Sequence, residues 1–170
     1  AITAGHSFSV EGWVYLATND QLQTFFSMGR RESCSGETIN NFAFSAGGGG
    51  ADGVRAIGLS TTNVDWVTPT KSTPDYNHFA GTYDSATRTV SLYLNGVLNN
   101  SLVLAEPGLS IATDQPVYLG AMWFNANTKY LQQGLKNGGI ARLRVHDGVL
   151  SAADVQNNYD EEKSIFQVSM

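Results

Sequence analysis

The sequence predicts an all-β protein, a β-sandwich with one short helix near the C-terminus. Three observations carry this. Apolar residues alternate with others over many short stretches, the period of two that strands require. Glycine, proline and Asn-Gly signals punctuate those stretches. A single segment, beginning at Ser151, has the start signals of a helix.

The first strand is Phe8 to Leu16 in "SFSVEGWVYL", where Phe8, Val10, Val14 and Leu16 alternate with Ser9, Glu11, Trp13 and Tyr15. Both sets contain large residues, so both faces of this strand are covered or one faces a groove. "QTFFSMG" is a second strand. "NNFAF" leads a third into the turn "GGGGADG", and "GVRAIGLS" resumes the sheet. "TTNVDWVTPTKSTPDYN" reads as loop, because Pro69 and Pro74 limit ladder pairing. His78–Tyr83 and Thr89–Leu94 are strands joined by "DSATR". Asn95-Gly96 is a two-residue hairpin turn, since both positions tolerate positive φ, and Val97–Leu104 returns. "EPGLSIATDQP" is loop, "VYLGA" is strand, and "AMWFNANTKYLQQGLKNGG" is a long aromatic and polar connection. "GIARLRVHDGVL" sets Ala141, Leu143 and Val145 on one face against Arg142, Arg144 and His146. Ser151 and Asp154 then fit a capping box, for a helix ending between Tyr159 and Lys163. "SIFQVSM" alternates once more and is expected to add an edge strand.

The 170 residues suit one domain spanning 1–170, since no linker or repeat divides them. The net charge of −5 and the lack of a basic cluster argue against a nucleic-acid partner. They also disfavour acidic polymers unless a local basic patch exists. No apolar run approaches a membrane span. Cys34 is the single cysteine, so no internal disulfide forms. Plentiful Gly, Ser, Thr and Asn with few charges suit secreted and cell-surface domains. The chain opens at Ala1 without Met or a leader-like segment, as expected of a domain excised from a larger protein.

The fragments "FSVEGWVYL", "HFAGTYDSATRTVSLYLNGVL", "VYLGA" and "GGIARLRVHDGVLSAADVQNNY" follow one another in an order that resembles laminin-G-like jelly rolls of the concanavalin A-like lectin/glucanase superfamily. The resemblance covers about residues 7 to 160. It implies a two-sheet antiparallel β-sandwich (jelly roll) with one flat and one concave sheet, and a module that binds, usually carbohydrate, on a secreted or surface protein. It also implies a calcium ion at the sandwich rim.

Catalysis finds little support. Glycoside hydrolysis needs a carboxylate pair across a cleft. The acid-rich strand motif E-x-D-x-x-E of the superfamily's hydrolases does not occur; Glu11 with Glu32, Glu37 or Asp65 are the places to look. No H-E-x-x-H, G-x-S-x-G or Cys/His metal spacing is present. "YDEEK" reads as a solvated helix end, and His78 and Trp13 read as structural. Glu11 lies two residues from Trp13 on the same face, and a buried carboxylate there must be paired, with Arg142 or Arg144, or approach a metal. Calcium takes six to eight oxygen ligands, for which Asn19, Asp20, Asp52, Asp84 and Asp147 are the candidates.

Binding points to "WFNANTKY". Sugar rings stack their C–H faces on aromatics while amides and charges bond their hydroxyls. Trp123, Phe124, Asn125, Asn127, Lys129 and Tyr130 supply both kinds of group, with Trp66 and Tyr76 from the other long connection as neighbours. The expected activity is non-catalytic, lectin-like binding of an oligo- or polysaccharide, with calcium as cofactor. The alternative is a protein-interaction or adhesion module on the same fold.

Overall fold

A computed structural model describes residues 5–16, 23–31, 39–46, 57–61, 64–65, 76–109, 111, 116–124, 130–132, 134–136 and 138–167. The strands are β1 (Phe8–Leu16), β2 (Gln23–Arg31), β3 (Ile39–Ala46), β4 (Ile57–Thr61), β5 (Val64–Asp65) and β6 (Asn77–Asp84). There follow β7 (Thr89–Leu94), β8 (Val97–Val103), β9 (Tyr118–Leu119), β10 (Met122–Phe124), β11 (Tyr130–Gln132) and β12 (Gly138–Asp147), then helix α1 (Ala152–Phe166).

The strands form the expected two sheets. One has the order β12-β1-β6-β7-β8; the other runs β11-β10-β2-β3-β4-β5, with β9 also on β2. Neighbours pair antiparallel, except that β10 meets β2 in parallel, Phe124 beside Arg31. Alternation sends Phe8, Val10 and Val14 of β1, Phe79 of β6, and Val90, Leu92 and Leu94 of β7 into the space between the sheets. Phe25, Phe26 and Met28 of β2 and Phe42 and Phe44 of β3 meet them there. Phe44 lies edge-on or tilted against Phe42 and Phe79, with ring centroids 5.5 and 4.6 Å away.

Two local choices make the pleat fit. Asn95 (φ +50°) and Gly96 (φ +81°) form the β7–β8 turn, and Asn95 also accepts the His78 N–H at 2.9 Å. Gly81 faces Phe44 across the core, where a Cβ would overlap the Phe44 ring and come within 3.1 Å of Phe42.

The structure departs from the sequence reading at four places. Val64–Asp65, read as loop, forms a short strand on β4. Trp123 and Phe124, and further along Tyr130–Gln132, stand in strands rather than a connection, after Gly120 (φ +73°) interrupts "VYLGA". The helix runs past Lys163 to Phe166, where the Gln167 N–H caps the Lys163 carbonyl. Ser164–Phe166 therefore belong to α1 and form no edge strand.

Gly81→Ala forces methyl volume into a ring cluster with no slack. The expected cost is about 1–3 kcal/mol. Urea denaturation of the variant against the parent chain measures it.

Candidate functional site

Backbone pairing builds an aromatic hairpin at one edge of the second sheet. Phe124 of β10 lies opposite Tyr130 of β11, and Trp123 opposite Leu131. Phe124 is also in register with Arg31 of β2, so Tyr130, Phe124 and Arg31 occupy one row across three strands. The sequence reading missed Arg31, because a cation at the end of a strand gains meaning only from the neighbour that pairing gives it. The connection holding Asn125, Asn127 and Lys129 lies outside the described residues, and so does Trp66. Tyr76 stands apart from the hairpin, before β6 on the other sheet. Its ring packs on Tyr15 and Phe166, each with centroids 5.8 Å away, and its carbonyl accepts from Gln167 Nε2.

The outer face of the five-stranded sheet holds a polar cluster under α1. Glu11 is fully buried. Its Oε1 accepts from Arg144 Nη1 at 3.0 Å and lies 3.0 Å from His146 Nε2, while Asn158 Nδ2 donates to both oxygens at 3.0 and 3.1 Å. The buried His78 ring sits 3.4 Å from Oε2, between Trp13 and Tyr159. Burial alone raises the Glu11 pKa. The His78 ring, the Asn158 amide and His146 outweigh it and pull the carboxyl from its ordinary 4.5 down to about 2. The expected partner Arg144 is thus present.

Glu162 is the second buried acid. It accepts from Trp13 Nε1 at 2.6 Å and Arg142 Nη1 at 3.1 Å, and it bonds Arg144. This corrects the reading of "YDEEK" as a solvated end. Val155, Asn158, Tyr159, Glu162 and Phe166 recur at helical spacing and share the face turned to the sheet, a period that the assumed early stop concealed. A bulge aids the contact: Arg142 and Leu143 oppose the single residue Gly12, with Arg142 at φ +48°. Its guanidinium lies 5.8 Å over the Phe166 ring.

Of the expected calcium ligands, Asn19, Asp20 and Asp52 lie outside the described residues. Asp84 and Asp147 stand at the same end of the five-stranded sheet, their strands flanking Phe8. Asp84 accepts from the Thr87 hydroxyl at 2.8 Å and the Ala86 N–H at 3.0 Å, bonds that lower its pKa and close the β6–β7 turn. Among the described residues, no three or more His, Cys, Asp or Glu side chains are arranged to hold a metal ion. Of the other hydrolase candidates, Glu32 and Glu37 lie outside the described residues, and Asp65 pairs in β5 with Ser60. No helix among the described residues is long and apolar enough to cross a membrane.

A laminin-G-type family model, described as the concanavalin A-like lectin/glucanases superfamily, matches residues 1–156. No curated protein matches the chain. Among solved structures, a native heptameric SAP-like pentraxin from Limulus polyphemus superposes with TM-score 0.67 at 14% identity, over 89% of this chain and 68% of the pentraxin. A putative carbohydrate-binding protein from Bacteroides ovatus gives 0.64 at 18%, over 89% of this chain and 40% of that one. Domain 4 of AbnA, an extracellular arabinanase of Geobacillus stearothermophilus, in complex with arabinotriose, gives 0.55 at 21%, over 92% and 67%. At these identities the likeness is one of fold.

Because the folded Glu11 pKa is depressed, its stabilisation is present above pH 4.5 and is lost as pH falls from there towards 2. Up to about 3 kcal/mol disappears over that window. Glu11→Gln is expected to lower stability at pH 7 by about 2–4 kcal/mol, because Arg144, which keeps Glu162, loses its second carboxylate, and His146 and Asn158 lose a charged partner. It should also flatten the acid limb. Urea midpoints at pH 7, 4.5, 3.5 and 2.5 for both chains test the two effects together.

Proposed function

This chain belongs to the concanavalin A-like lectin/glucanase superfamily, and from that premise we propose that it is a non-catalytic, lectin-like carbohydrate-binding module. The observation that carries the reading is the β10–β11 hairpin. It sets Phe124 and Tyr130 in one row with Arg31, and Trp123 one position along, in the alternate row with Leu131. Aromatic rings offer a saccharide its stacking surface, and a guanidinium and nearby amides offer donors to hydroxyl oxygens. Asn125, Asn127 and Lys129 follow in the same connection and supply such groups. A strand-borne platform is held by its ladder and loses little freedom on binding. The carbohydrate-binding names among the structural neighbours agree with this choice of ligand.

The non-catalytic part of the proposal rests on the buried acids. Glu11 and Glu162 are enclosed by Arg142, Arg144, His146, Asn158 and Trp13. A general acid must reach a glycosidic oxygen, and neither is free to do so. Calcium dependence belongs to the same proposal, with Asn19, Asp20 and Asp52 as ligands to be tested alongside Asp84 and Asp147. A secreted or surface-exposed setting suits the composition, and affinity in the micromolar to millimolar range is raised by tethering.

A polysaccharide screen by affinity electrophoresis and glycan array, run with calcium and with chelator, is the test. Trp123→Ala is expected to weaken binding at least about tenfold, the loss of one stacking contact of roughly 1.4 kcal/mol, with an unchanged circular dichroism spectrum. Loss of binding in chelator places calcium in or under the site. Because neighbouring rows of a strand face opposite sides, retention of full affinity in both Trp123→Ala and Tyr130→Ala removes the hairpin from the reading, and a negative screen turns the reading to a protein ligand.

A further inference from the structure

The turn between β7 and β8 carries a chemistry that ligand binding does not use. In Asn95-Gly96 the glycine has no Cβ, so nothing hinders its nitrogen from attacking the side chain before it. In an open chain the Gly96 nitrogen loses its proton to solvent base and bonds to Asn95 Cγ. Ammonia leaves with Nδ2, and a cyclic imide remains. Water then opens the ring. Cleavage at Cγ gives aspartate. Cleavage at the main-chain carbonyl gives isoaspartate, whose backbone runs through the side chain.

The folded turn opposes the first step from two sides. Asn95 Oδ1 accepts the His78 N–H at 2.9 Å, and Nδ2 donates to Asn77 Oδ1 at 3.2 Å. The side chain is thus tied to β6 instead of folding back on its own backbone. The Asn95 N–H donates to the His78 carbonyl at 2.8 Å, which ties the main chain to the same strand. On the other side Gly96 is buried, and the Gln156 amide of α1 sits over it, 3.0 Å from where a Cβ would stand. Asp160 holds that amide in turn, accepting from Gln156 Nε2 at 2.9 Å.

We propose that Asn95 is a latent modification site, guarded by β6 and α1 and converted to aspartate or isoaspartate when the β7–β8 turn opens. The conversion runs one way. Aspartate has no N–H to give Asn77. Isoaspartate adds a methylene to a two-residue turn whose geometry sets the register Leu94↔Val97. A turn that reacts while open cannot reclose as it was, so the site makes a reversible local opening permanent.

Peptide mapping by mass spectrometry tests this on chain incubated at mildly basic pH, folded and in urea. The second Asn-Gly pair, Asn137-Gly138, is silenced by Asn137→Gln so that conversion is read at Asn95. Conversion of the folded chain is expected to be at least about tenfold slower than in urea, since two side-chain hydrogen bonds must break first. Asn77→Ala removes one tether and is expected to raise the folded rate about fivefold. Gln156→Ala uncovers Gly96 and is expected to raise it as well. Gln156 lies at a partly exposed position, so this variant carries the test should Asn77→Ala fail to fold by circular dichroism. Equal rates in the folded chain and in urea overturn the proposal. So does a folded rate that neither variant moves. Chain converted in urea and refolded is expected to have a lower urea midpoint than unconverted chain taken through the same cycle, and an unchanged midpoint overturns the one-way step.

Discussion

The buried carboxylate of Glu11 is the constraint on which the outer half of the molecule depends. A charge in the middle of a central strand is costly unless every oxygen finds a partner. Here the partners come from both directions. β12 contributes Arg144 and His146 from beside β1, and α1 contributes Asn158 from above. Arg144 then reaches Glu162, which Arg142 and Trp13 also hold. Two carboxylates face two guanidiniums. Beneath the helix, Ala80, Tyr93, Val155 and Leu150 form an apolar patch, and the Trp13 ring stacks on Tyr159 and Phe166. Apolar contact is non-directional, whereas the bonds to Glu11 and Glu162 fix one helix position. The cluster therefore contributes register more than raw stability.

That arrangement divides the two sheets by task. α1 and its polar cluster cover part of the outer face of the five-stranded sheet. Trp13, which by type alone would suit a sugar platform, is consumed there between His78, Tyr159 and Phe166. Tyr76 is drawn to the same side. The aromatics of the proposed ligand contact belong to the other sheet, where β10 and β11 add Trp123, Phe124 and Tyr130 at one edge.

Much of this was legible in the residues, for reasons that can be named. β1, β6 and β7 alternate strictly, and Asn95-Gly96 fixes the pairing of the strands it joins. The Glu11–Arg144 contact was readable because a carboxylate among core residues demands a cation and the last strand offered two. The helix length was not readable, because Glu161, Glu162 and Lys163 look like a charged end. Only the spacing of Val155, Asn158, Glu162 and Phe166 reveals the continuing face. The strand status of Trp123 was hidden too. Its three-residue element is too short for a period, and its pairing with β2 is long-range and parallel. The row Tyr130–Phe124–Arg31 comes from three separate segments, so no local pattern contains it.

Fold membership does not choose a ligand; the placement of exposed chemistry does. The aromatic hairpin sits at one edge of the second sheet, away from the polar cluster under α1. On the proposed reading a single stacking platform gives modest affinity, and tethering it to a further binding module turns the second encounter on a polymeric glycan into an intramolecular one.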